Sequence, residues 1–280
     1  MKEIRKGREA SIGENPKWDL ATGDVKLKAE EVATSSGKDM LRTCINYELQ
    51  PLTLQVLNIG LPEHWKLDLH QSLAAEGADK YTYTDGEGFS HTFIKYPGEG
   101  NRYYDTEGAG LTLDSSAETI TDESGNRLKF ENGRLKQITE ANTAVVKNIT
   151  YDAGGLIKRV TRGNSAIEYN YSDGILQTIT CKTNGNTIRQ LKLCYAGGQL
   201  AEIRLSAGGT EELLKSMTYD EAGCLSVIAD AQSSDAIEIV NEHSNGQNRA
   251  VELGQGYIWN ASYKSLYRSA IVSERSSDAE

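Results

Sequence analysis

Chemistry in this chain would have to come from four histidines, four cysteines and a set of acid–glycine turns. The histidines are His64, His70, His91 and His243. None stands in an HExxH or HxxEH setting, the spacing that sets two imidazoles on one helix face around zinc. Each therefore reads as a surface or core histidine. Cys44, Cys181, Cys194 and Cys224 lack CxxC spacing, which disfavours a structural zinc. A hairpin centred on Asn184-Gly185 would set Cys181 opposite Ile188 rather than Cys194, so free, partly buried thiols are expected. Asp85-Gly-Glu-Gly88 and Asp105-Thr-Glu-Gly108 have the composition of calcium loops. They lack the fixed steps and late bidentate Glu that calcium needs, and turn chemistry accounts for them. No Ser sits in GxSxG, and neither Gly108-Ala-Gly110 nor Gly254-Gln-Gly256 completes a dinucleotide fingerprint. The residues predict no catalytic group, no cofactor and no metal.

What recurs instead is a structural pattern over residues 126–228. Five copies follow one another: Phe130, Gly133, Leu135, Ile138; Tyr151, Gly155, Ile157, Val160; Tyr171, Gly174, Leu176, Ile179; Tyr195, Gly198, Leu200, Ile203; and Tyr219, Gly223, Leu225, Ile228. The glycines lie 22, 19, 24 and 25 residues apart. An apolar residue stands two places before each aromatic: Leu128, Ile149, Tyr169, Leu193 and Met217. A period near 22 residues suits two strands and two turns, and the sequence supplies both turns. One is the marked glycine, often helped by Asp152, Asp173 or Asp220. The other is mid-unit, at Gly163-Asn164, Asn184-Gly185-Asn186 and Gly208-Gly209. The aromatic and the apolar residue before it share a strand face. The two apolar residues after the glycine are three apart, so they face opposite ways unless a bulge intervenes. One unit buries too little to stand alone, so a continuous antiparallel sheet growing hairpin by hairpin is expected.

The wording of these copies resembles the YD repeat of the Rhs (rearrangement hotspot) family, named for the Tyr-Asp pair seen at Tyr151-Asp152 and Tyr219-Asp220. Ile120-Thr-Asp-Glu-Ser-Gly-Asn-Arg-Leu-Lys-Phe130 and Gly133-Arg-Leu-Lys-Gln-Ile138 are close to its commonest phrases. Tyr83 to Phe93 and Tyr103 to Leu113 resemble the segment before the repeats in Gram-positive members. The likeness covers roughly residues 18–259. Phe130-Glu131, Tyr171-Ser172 and Tyr195-Ala196 depart from the Tyr-Asp pair. The resemblance implies a long sheet spiralling into a hollow shell around a C-terminal, often toxic, cargo domain, exported or displayed at the cell surface. It implies as partners the remainder of a longer Rhs polypeptide or its cargo, and possible cell-surface glycans, because some members are described as carbohydrate-binding. Against a glycan platform, a residue recurring once per unit is normally a packing ladder across strands.

Composition sets outer bounds. Twenty-seven glycines, four prolines and fourteen tyrosines in 280 residues suit turns and half-exposed strands. A net charge of −10 argues against nucleic acid and against an anionic membrane surface. No run approaches the ~18 apolar residues of a membrane span. The basic start, Met1 to Arg8, is followed by no apolar stretch, so a piece of a longer exported protein is expected rather than one carrying its own signal. The expected class is all-β, a curved antiparallel sheet of stacked hairpins forming part of an Rhs-type shell. Residues 1–17 are expected to be flexible, 18–80 a strand-rich leader that starts or plugs the sheet, and 81–118 two hairpins. Residues 119–259 would be the repeat sheet and 260–280 a flexible tail. A helical turn is expected within residues 70–80.

Overall fold

The computed structural model describes residues 9–11, 17–19, 24–34, 39–48, 57–141, 145–207, 209–231, 236–241, 248–253, 257–264 and 269–276. Among them every regular element is a strand. The protein is all-β.

The leader holds β1 (Glu9–Ser11), β2 (Lys17–Asp19), β3 (Asp24–Ala33), β4 (Arg42–Glu48) and β5 (Trp65–Leu67), which pair antiparallel in chain order as one sheet. Eight strands follow: β6 (Ser72–Ala75), β7 (Lys80–Thr84), β8 (Ser90–Lys95), β9 (Arg102–Asp105), β10 (Thr112–Asp114), β11 (Thr119–Thr121), β12 (Arg127–Glu131) and β13 (Arg134–Thr139). Then come β14 (Val146–Tyr151), β15 (Ile157–Arg162), β16 (Ser165–Ser172), β17 (Ile175–Thr183), β18 (Asn186–Ala196), β19 (Gln199–Ala207), β20 (Thr210–Tyr219) and β21 (Leu225–Asp230). The last are β22 (Ala236–Asn241), β23 (Asn248–Leu253), β24 (Tyr257–Lys264) and β25 (Ser269–Ser276). Strands lie where a flexible start and tail were expected, at β1, β24 and β25. Over 70–80 the chain forms β6 and a turn, not a helical turn. Leu73 is buried in the core, and pairing with β7 supplies the backbone partners a helical turn would have had to find locally.

From β6 to β25 each strand pairs antiparallel with the next. The sheet is not simply open and curved. β6 also meets β13, through Ser72 opposite Arg134 and the Leu73 N–H on the Gly133 carbonyl at 3.0 Å, closing β6–β13 into a ring of eight. β13 is shared: its first residue closes the ring, while Gln137–Thr139 pair with β14 and carry the sheet onward. Each ring strand contributes a buried apolar side chain: Leu73, Tyr83, Phe93, Tyr103, Leu113, Ile120, Phe130 and Leu135. An eight-stranded ring is just wide enough for side chains to fill, so it has a packed interior.

The question of the two apolar residues after each glycine is answered the same way five times. The aromatic faces the first of them: Phe130 opposite Leu135, Tyr151 opposite Ile157, Tyr171 opposite Leu176, Tyr195 opposite Leu200, Tyr219 opposite Leu225. The register then skips one residue, and the apolar residue before the aromatic faces the second, as Ile149 faces Val160 and Tyr169 faces Ile179. The skipped residue is a β-bulge that brings both apolar positions to the buried face. A further bulge sets Cys181 opposite Arg189, not Ile188, because Lys182 already faces Thr187. All four cysteines are free thiols. No described helix is long and apolar enough to cross a membrane.

Candidate functional site: the tyrosine row and the leader

The ten marked positions fall into two sets. Gly133, Gly155, Gly174, Gly198 and Gly223 all have φ between 75° and 85°, the left-handed region in which a Cβ is costly. Two turn lengths occur. Asn132-Gly133, Asp173-Gly174 and Gly197-Gly198 are two-residue turns with both residues at positive φ. At Asp152 and Asp220 the turn is longer, closed by Asp152 N–H on the Leu156 carbonyl and Asp220 N–H on the Cys224 carbonyl, 2.9 Å each. In those two turns the Asp Oδ1 accepts the N–H four residues on, at 2.9 Å. The Asp after the tyrosine is thus a cap for the longer turn. It is missing, as Glu131, Ser172 and Ala196, where the turn has two residues and no such N–H to satisfy.

The aromatics form a row that joins unit to unit. Tyr151 donates its hydroxyl to the Leu135 carbonyl at 2.7 Å, Tyr171 to Ile157 at 2.9 Å, Tyr195 to Leu176 at 2.5 Å and Tyr219 to Leu200 at 2.6 Å. Every acceptor is the residue two past the preceding unit's glycine. Pairing between units ends short of that residue; between β15 and β16 it stops at Arg159 opposite Glu168. The tyrosine hydroxyl supplies the partner that the ladder does not. Burial raises the pKa of all four hydroxyls, so they stay protonated donors. Phe130 heads the row with no earlier marked unit to reach. It is buried inside the ring, edge-on to Tyr83 at 5.8 Å between centroids.

The leader lies against this row and fills the space beside it. Leu27, Val32, Leu41, Ile45, Tyr47, Trp65 and Leu67 are buried in one apolar cluster with Ile157, Tyr169, Leu176, Leu200 and Leu225. Polar contacts fix the register. The Leu176 N–H donates to the Gly60 carbonyl at 2.7 Å, and the Leu225 N–H to the Tyr47 hydroxyl at 2.9 Å. The Trp65 indole donates to the Tyr219 hydroxyl at 3.1 Å. These atoms belong to the repeated positions themselves, so the leader reads the period of the sheet it covers.

Where leader meets ring, charge is buried. Glu48, 1 % exposed, lies 3.4 Å from Lys66 Nζ and 3.5 Å from Lys26 Nζ. Lys66 also donates to the Asp85 carbonyl at 2.8 Å, Lys26 to the Gly88 carbonyl at 3.2 Å, and Asn46 to the Gly86 carbonyl at 3.1 Å. Burial pushes the Lys66 pKa down, and the charges of Glu48 and Asp85 oppose that. Gly88 is required for contact: a Cβ there would sit 1.8 Å from Glu48 Oε1. Sequence reasoning missed this cluster, because its members are scattered over 62 residues with no common spacing.

Of the histidines, His64 sits in a loop with Nδ1 on the Glu48 carbonyl at 2.9 Å. His70 is buried, its Nδ1 accepting the Leu67 N–H at 2.9 Å, and burial drives its pKa down to about 3. His91 is buried on β8. His243 and Gly254-Gln-Gly256 lie outside the described residues. An open cleft of about 570 Å³ runs along β9–β12 over Arg102, Asp114, Thr119 and Arg127, away from the aromatic row. No protein-family model matches the chain, and no curated protein matches it.

Proposed function

We propose that this chain is a non-catalytic structural scaffold: the plugged starting end of a YD-repeat β-shell of the Rhs type, exported or displayed at the cell surface as part of a longer polypeptide. The observation that carries the reading is the tyrosine row. Each hydroxyl is committed to the carbonyl of the preceding unit, and each ring lies against the core. Such side chains join neighbouring units, and a sugar would find each hydroxyl already engaged. The leader occupies the apolar face of β14–β21, so cargo would lie further along the sheet, past β25.

The test has two arms. Reading the gene on both sides of this segment should find further copies of the aromatic–glycine pattern downstream; a reading frame without them would remove the shell. The purified chain on a glycan array should retain no sugar. Retention that is lost in a Tyr171→Ala variant of unchanged melting temperature would replace the scaffold with a glycan-binding module.

A further inference from the structure

At one rim of the ring the β7–β8 and β9–β10 turns bring His91, Asp105 and Glu107 together, with one ligand atom from each within 4.8 Å of the others. His91 is 5 % exposed and the Asp105 side chain 1 %. His91 Nε2 lies 3.2 Å from Asp85 Oδ2. That contact occupies the Nε2 side of the ring. Nδ1 then points into the cluster and makes no hydrogen bond. Its nearest carboxylate oxygen, Asp105 Oδ1, is 3.9 Å away, too far for a direct hydrogen bond. Asp105 itself accepts the Glu107 N–H on Oδ1 at 3.2 Å and the Ala109 N–H on Oδ2 at 2.5 Å, which holds its carboxylate in place beside a buried ring nitrogen that lacks a hydrogen-bond partner.

We propose that His91, Asp105 and Glu107 bind a divalent transition-metal ion, with zinc the best match. One imidazole nitrogen and two carboxylates form a mixed N/O set that zinc and manganese accept, whereas calcium prefers oxygen alone. Two ligands each about 2.1 Å from one zinc ion stand roughly 3–4 Å apart, and the 3.9 Å gap between Nδ1 and Oδ1 fits that range. Glu107 lies just after β9, two residues past Asp105, and is half-buried. Asp85 plays the supporting part that carboxylates play behind metal-bound histidines, fixing ring and tautomer. Sequence spacing hid the set, because the histidine and the carboxylates come from different hairpins. The same β7–β8 turn offers its Asp85, Gly86 and Gly88 carbonyls to the leader, so a bound ion would brace the rim on which the leader docks.

The experiment is calorimetric titration of the chelator-treated full chain, thiols blocked, with zinc, manganese and calcium separately, plus a melting curve for each. One zinc per chain and a melting temperature raised by several degrees are expected, with calcium at least tenfold weaker. Glu107→Gln, on a turn and compatible with folding, should weaken zinc at least tenfold without changing the melting temperature of the metal-free protein. Asp105→Asn should do so more strongly. No zinc uptake by the folded wild type would overturn the proposal. Uptake that Glu107→Gln and Asp105→Asn leave unchanged would overturn it equally.

Discussion

The tyrosine hydroxyl is the smallest part on which the fold depends. A bulge solves one problem, turning both apolar residues inward, and creates another, a carbonyl beyond the reach of the ladder; the hydroxyl from the next unit resolves it. Tyr171→Phe should therefore lose about 1–2 kcal/mol, the loss of one hydrogen bond and the stranding of the Ile157 carbonyl. Tyr171→Ala should lose about 3–5 kcal/mol because the ring goes too. Denaturant midpoints distinguish them, and equal losses would mean the hydroxyl contributes nothing. His70 gives a second test. Its folded pKa of about 3 lies below the ordinary histidine value near 6.5. The unfolded chain therefore binds the extra proton first. The stability that neutral His70 permits is complete above about pH 6.5 and is lost as pH falls toward 3, by up to roughly 1.4 kcal/mol per pH unit. His70→Leu should start less stable at pH 7 yet show a flatter slope between pH 6.5 and 4 in urea titrations. An unchanged slope would assign the acid sensitivity to other groups.

At the scale of the hairpin, the aromatic, the glycine and the three apolar positions were legible in the sequence because they repeat, and repetition shows which residues share a role. The bulge was not, since two apolar residues three apart fit either an inward pair or an in-out pair until the register is seen. The Cys181 register failed for the same reason, through the extra residue Ile188. Ring closure was also hidden: one pairing between Ser72 and Arg134 leaves no periodic mark. The His91, Asp105 and Glu107 group was masked too, because its two acid–glycine turns each read, correctly, as turn chemistry. Two glycines that look alike in sequence do different jobs. Gly174, at φ 78° with nothing within 4 Å of an added Cβ, serves only the backbone. Gly174→Ala should cost about 1–2 kcal/mol, the left-handed penalty. Gly88→Ala drives a methyl into Glu48 and should cost about 3 kcal/mol or more, since the buried ion cluster must break. Chemical denaturation of the two variants checks the order, and similar costs would mean Gly88 is only a turn residue.

For the molecule as a whole, the leader is held by an apolar face and by one buried knot of charge at the ring. Glu48→Ala leaves Lys66 and Lys26 facing each other without their carboxylate. It should cost about 3–5 kcal/mol and open the leader to protease before the strands of the ring are cut. Added salt should not mimic it, because buried pairs are poorly screened. A native digestion pattern would show that the apolar face holds the leader unaided. At the other end, β25 pairs with β24 along its whole length.

The pairing of Tyr47 with Leu225 has a consequence for how the protein is made. The two lie 178 residues apart, and Trp65 and Tyr219 lie 154 apart. On a ribosome adding roughly 5–20 residues per second, the leader emerges on the order of ten seconds or more before the strands that shelter it. Part of its greasy side stays bare through that wait, the part that Leu200 and Leu225 will cover. Such a polypeptide cannot fold from front to back as it is synthesised. Its cover is complete only when the last tyrosine unit reaches Tyr47 and Trp65.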